Sequence, residues 1–99
     1  MKDENVIQVF NNNHPAYYRL LVAANIIQLF SDVYCMVEKT YFDFGQDWEW
    51  TTIIAHPDKK QSIQILSPKQ QAKLITGDID EFLDTCKTIA KHVKEAHKT

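Results

Sequence analysis

Five residues able to do acid–base chemistry fall close together in the middle of the chain: Asp43, Asp47, Glu49, His56 and Asp58, with the indoles of Trp48 and Trp50 among them. A carboxylate held beside an imidazole can move protons to and from a substrate when burial tunes both groups toward neutral pH. Spacing alone does not join these side chains, and loop acids and a turn histidine are ordinarily solvated. A second, overlapping set is Tyr41, Trp48, Trp50, His56 and Gln64. Here aromatic walls and one amide would line a pocket for a small apolar or aromatic ligand. Indoles at such positions serve equally well as core or as part of a dimer interface, and the three readings stay open. The four histidines give no metal pair. His92 and His97 are five apart, and none makes the i, i+4 spacing that sets two imidazoles on one helix face.

The missing motifs narrow the chemistry further. There is no glycine-rich phosphate loop, no zinc-protease helix, no nucleophile elbow and no EF-hand loop, and two glycines in 99 residues cannot build a phosphate cradle. Cys35 and Cys86 are too few for a disulfide framework and lack metal spacing, so they read as buried free thiols of a cytoplasmic protein. The acidic, polar start has no basic segment followed by an apolar one, and Leu20 to Phe30 is too short to span a bilayer. Neither a secretory signal nor a membrane partner is expected. The net charge is −2, and the region from Asp32 to Asp58 holds six acids against Lys39. The tryptophans lie in that acidic region and the chain has one arginine, Arg19, which argues against nucleic acid. With 44% apolar and 11% aromatic residues, the chain has enough to bury to order one domain over residues 1–99.

The elements that must position these groups follow from periodicity. Val6 to Phe10 reads as a short strand before the turn-prone Asn11-Asn12-Asn13, and Asn13-His14-Pro15 reads as a helix start. The helix runs from Ala16 to about Tyr34. Leu20, Ala24, Ile27 and Tyr34 form its apolar line, and Leu21, Val22, Ile26, Leu29, Phe30 and Val33 widen that line over most of the circumference. Such a helix needs cover on more than one side, from a sheet and from a partner. Strands are expected at Val37 to Phe44, Trp48 to Ala55 and Ser62 to Leu66, joined by turns at Gly45-Gln46-Asp47 and His56 to Lys60. Alternation sets Trp48, Trp50, Thr52, Ile54 and His56 on one face and Glu49, Thr51, Ile53 and Ala55 on the other. Ser67-Pro68-Lys69-Gln70 spells a capping box and favours a short helix to Leu74 or Ile75, against a rival strand over Ala72 to Thr76. Asp78 and Glu81 start a final amphipathic helix. Its apolar face is Ile79, Phe82, Leu83, Cys86, Ile89, Ala90, Val93 and Ala96, and its rear lysines oppose the helix dipole.

The order strand, helix, three antiparallel strands resembles the βαβββ module of the vicinal oxygen chelate superfamily, which includes glyoxalases, bleomycin-resistance proteins and extradiol dioxygenases. The residues carrying the likeness are Tyr41-Phe42-Asp43-Phe44-Gly45, Trp48 to Asp58 ending in Ala55-His56-Pro57-Asp58, and Gln61 to Leu66, with Gly77 to Leu83 resembling a strand end and helix start of a second module. The resemblance covers about half the chain. It implies metal ligands on the outer strands of each module. Only Gln64 and Gln8 carry over, and the second module's histidine would fall near Gln71 or Ala72. What it implies here is therefore a shortened, metal-free relative whose open sheet is covered by a second copy.

Together these readings give an α+β domain, β-α-β-β-β-α, with an antiparallel sheet packed on helices. The expected function is that of a non-catalytic, metal-free and cofactor-free small-molecule-binding or interaction module working as a homodimer. Two alternatives are a lyase- or isomerase-like enzyme, with His56, Asp43 or Glu49 as base in a site shared between subunits, and a pocketless adaptor that binds through the first helix.

Overall fold

A computed structural model describes residues 15–43 and 47–97, with side chains given outside 41–49 and 97. The elements in order are α1 (Pro15–Ser31), β1 (Tyr34–Asp43), β2 (Asp47–His56), β3 (Ile63–Gln64), α2 (Pro68–Thr76) and α3 (Ile79–His97). The class is α+β, as expected. The strand at Val6 to Phe10, the helix-start residues Asn13 and His14, and Gln8 lie outside the described residues. So does the turn at 44–46.

Helix α1 opens on Pro15, where a missing N–H costs nothing, and ends earlier than the periodicity suggests. Asp32 takes the left-handed conformation, φ 61°, and its N–H closes on the Gln28 carbonyl at 2.9 Å. A short polar side chain tolerates that geometry, so the helix stops without a glycine. Val33 and Tyr34 are consequently not helical. Tyr34 begins β1 and is 55% exposed, which corrects its place on the helix's apolar line. The Gln28 side chain then accepts the Cys35 N–H at 3.0 Å, fixing the angle between helix and strand.

The three strands form an antiparallel sheet in the order β1-β2-β3. Tyr34 pairs with His56, Glu38 with Thr52, Thr40 with Trp50 and Asp43 with Asp47, while Ile54 pairs with Gln64. The turn into β3 is built by Asp58, whose carbonyl accepts the Gln61 N–H and whose side chain accepts the Lys60 N–H. Only two residues of the expected Ser62 to Leu66 strand pair, because the chain must leave the sheet to start α2.

One sheet face carries Cys35, Val37, Ile53 and Ala55 and packs under the helices. Leu20, Ala23, Ala24 and Ile27 of α1 meet Phe82, Cys86, Ile89, Ala90 and Val93 of α3 in the same cluster, with Leu74 of α2. Each fully buried Leu or Ile there contributes about 1.5–3 kcal/mol relative to exposure. The region 68–76 is a helix, held by the capping box that its sequence spells: Ser67 Oγ accepts the Gln70 N–H at 3.1 Å, and Gln70 Oε1 accepts the Ser67 N–H at 3.0 Å. Helix α2 therefore occupies the segment where the superfamily resemblance would end a strand. Asp78 caps α3 as expected, its carboxylate accepting the Glu81 N–H at 2.8 Å.

Candidate functional site

The second sheet face, away from the helices, carries the only histidine–carboxylate contact among the described residues. His56 Nε2 meets Glu38 Oε2. Register explains how. His56 lies opposite Tyr34 and Glu38 lies opposite Thr52, so the two side chains lean toward each other along a diagonal that straddles the Met36–Ile54 pair. Ile54 is buried although it points away from the helical core. The other imidazole nitrogen, Nδ1, lies 3.4 Å from Ser62 Oγ. The Tyr34 ring stands 5.9 Å from the imidazole, tilted by 41°, and its hydroxyl donates to Met36 Sδ at 3.5 Å.

Tyr34, Met36, Glu38 and His56, with Asp58 and Lys59, line an open hollow of about 440 Å³. Its walls combine exposed apolar surface, from Tyr34 and Met36, with acid, base and cation. Such a hollow can stack a flat apolar group and address a polar one beside it.

Of the residues singled out in the sequence, His56 is at this hollow, and Gln64 is one strand away opposite Ile54. Trp50 shares the same face, but six residues along a strand is about 20 Å from His56. Trp48 pairs with Phe42, still farther along, and Tyr41 pairs with Glu49, one position out of step with Trp48 and Trp50. Asp43 and Asp47 pair with each other at the far end of the hairpin. His56 therefore joins neither Asp43 nor Glu49. Its partner is Glu38, a residue that sequence spacing did not single out, as were neither Ser62 nor Tyr34. The signal for Glu38 is its even-numbered position on the strand opposite His56, and it becomes readable only once the register is fixed.

A second surface lies on α1. Tyr18, Val22, Leu29 and Phe30 are exposed along a helix whose sole charge is Arg19. Ile79 and Leu83 of α3 are exposed too, although periodicity put them on the apolar face. Tyr18, Val22, Ile79 and Phe82 border a hollow of about 430 Å³ with Arg19, Gly77 and Asp78. Arg19 is committed inside the chain: its guanidinium donates to the Gly77 carbonyl at 2.6 Å and lies 5.3 Å over the Phe82 ring.

Both cysteines are free and buried. Desolvation pushes each thiol up to about 11, which removes thiolate chemistry at neutral pH. Among the described residues no cluster of three His, Cys, Asp or Glu side chains could hold a metal ion, and no helix is long and apolar enough to cross a membrane. No protein-family model, curated protein or solved structure matches the chain.

Proposed function

We propose that this domain is a small-molecule-binding or interaction module that works as a homodimer without metal or cofactor. The observation that supports it is the outward stripe of α1, where Tyr18, Val22, Leu29 and Phe30 are each at least half exposed on a helix with no acidic residue. Scattered exposed apolar residues are normal, but a row of them on one helix, continued by Ile79 and Leu83, marks a contact surface. Because the stripe is uncharged, two copies can meet through it about a two-fold axis without like-charge repulsion. The ligand reading draws on the Tyr34–Met36–His56 hollow, whose walls suit a small apolar or aromatic molecule.

Light scattering across a concentration series tests the dimer. The wild-type chain is expected at twice its 11.5 kDa mass, and Val22→Glu with Leu29→Glu is expected to give folded monomers. A strictly monomeric wild type overturns the reading.

A second reading, an acid–base enzyme of the lyase or isomerase kind, is favoured by one contact. The Glu38 carboxylate on Nε2 holds the imidazole in place and leaves Nδ1, beside Ser62 Oγ, to act as a base.

A further inference from the structure

We propose that Ser62 is a nucleophile activated by the His56–Glu38 pair, and that this end of the sheet hydrolyses small esters by way of an acyl-Ser62 intermediate. The proposal rests on the acid–base reading of His56 and adds to it a nucleophile and a substrate class. A hydroxyl is a poor nucleophile unless a base takes its proton, and the base works only if a third group orients it. All three parts are present. Glu38 Oε2 engages Nε2 and so fixes the ring proton there. The remaining Nδ1 lone pair faces Ser62 Oγ at 3.4 Å, a contact that needs to shorten by only a few tenths of an ångström to reach hydrogen-bond range, as such contacts do on substrate binding. The roles of the two ring nitrogens are exchanged relative to the serine-protease arrangement. Neutral imidazole has one donor and one acceptor whichever nitrogen carries the proton, so the relay is chemically equivalent.

The three residues come from three separate stretches of chain, and two features bring them together. The β1–β2 register sets Glu38 and His56 on one face, and the Asp58–Gln61 turn folds Ser62 back beside the ring. Ser62 is exposed, so a substrate can reach it. In the hollow that His56 lines, Tyr34 and Met36 offer apolar surface for an aromatic or short alkyl group, and Lys59 and Asp58 line it too, the lysine being its one cation among the described residues.

In the reaction, Ser62 Oγ bonds to the ester carbonyl carbon as its proton passes to Nδ1. The tetrahedral adduct collapses, the carbon–alkoxide bond breaks, and the alcohol leaves with that proton. Water then attacks the acyl-Ser62 carbon and gives a proton to Nδ1. Collapse returns that proton to Ser62 Oγ and releases the carboxylic acid. Glu38 touches no reacting atom and acts as a positioning residue.

The test is hydrolysis of p-nitrophenyl acetate by the full chain, with intact mass recorded after exposure to a fluorophosphonate. The expected result is turnover above buffer and a single adduct on Ser62. Ser62→Ala and His56→Gln should each lose about 100-fold or more of the rate, while His92→Gln, on the exposed side of α3, should keep it. Glu38→Gln should lower kcat with little change in KM and abolish the single ring tautomer that nitrogen NMR of the wild-type His56 is expected to show. Ser62→Ala is a small change at an exposed position, so its result stays readable if His56→Gln fails to fold. If hydrolysis survives Ser62→Ala but not His56→Gln, the histidine is a base without a serine nucleophile, which overturns the proposal and keeps the reading beneath it. If hydrolysis is indifferent to both variants, both fail. Absence of turnover and of adduct also overturns the proposal.

Discussion

Glu38 and His56 meet across the β1–β2 ladder although neither is the other's direct partner in register. Glu38 faces Thr52 and His56 faces Tyr34, so their contact crosses the Met36–Ile54 rung from opposite sides. A contact of this shape does two things at once. It fixes the imidazole's orientation, and it bridges the rung whose Ile54 side chain is 3% exposed on the face that the helices leave uncovered.

The pair should therefore couple energetically, though modestly, because both side chains remain partly exposed at 23% and 35%. A double-mutant cycle of Glu38→Gln and His56→Gln, followed by urea unfolding, is expected to give a coupling of about 0.2–1 kcal/mol. A coupling of zero at low salt would mean the two groups meet without holding each other.

The cap of α2 gives a cleaner number. Ser67 and Gln70 satisfy each other's backbone N–H groups. Ser67→Ala should cost about 1 kcal/mol, read as a lower urea midpoint with an unchanged slope. An unchanged midpoint would show that water serves the Gln70 N–H equally well.

Gly77 is required for space rather than for dihedral freedom, since its φ of −72° is open to any residue. A Cβ there would overlap the Lys73 carbonyl oxygen, which already accepts the Gly77 N–H at 2.8 Å. The Gly77 carbonyl also holds Arg19, so a shift would disturb the α1–α3 contact as well. Gly77→Ala is expected to lose about 1–3 kcal/mol in the same unfolding assay, and full retention would show that the turn between α2 and α3 can relax.

These cases show what was legible in the chain beforehand. The α2 and α3 starts were readable because Ser67, Gln70, Asp78 and Glu81 act within one turn of themselves, and the strand pair was readable from β-branched and aromatic runs. Periodicity carries α1 about three residues too far, because Val33 and Tyr34 continue the apolar pattern while the stop comes from Asp32, a residue type that adopts the left-handed region less readily than glycine. Local spacing offers His56 the acids Asp47, Glu49 and Asp58 within nine residues, and Asp43 beyond them. The partner is 18 residues away on the facing strand, a distance bridged by register and not by local spacing. Periodicity makes Ser62 the first residue of a strand, and its place beside His56 depends on how tightly the turn before it folds.

The Asp32 turn makes its own prediction. At φ 61° a β-branched side chain clashes with its own backbone, whereas glycine does not. Asp32→Ile should lose about 1–2 kcal/mol, and Asp32→Gly should hold stability near wild type. Equal loss in both variants would instead point to the carboxylate rather than the backbone.

The two thiols predict how stability changes at high pH. Cys35 and Cys86 stay protonated in the folded chain to about pH 11, against an ordinary value of 9.0, because burial disfavours the thiolate. Between those values the unfolded chain has lost protons that the folded chain still binds, so unfolding becomes more favourable as pH rises. The expected fall is about 1.4 kcal/mol per pH unit for each thiol across that window, with no thiol-dependent change below pH 9. Cys35→Ala and Cys86→Ala should each lower stability at pH 7, through lost packing, yet flatten its decline at high pH. The same burial should make both thiols slow to alkylate in the native chain and fast in urea. Rapid native labelling of Cys86, which has no exposed surface, would mean that α3 opens far more readily than its place in one buried cluster with Leu20 and Ile27 of α1 implies.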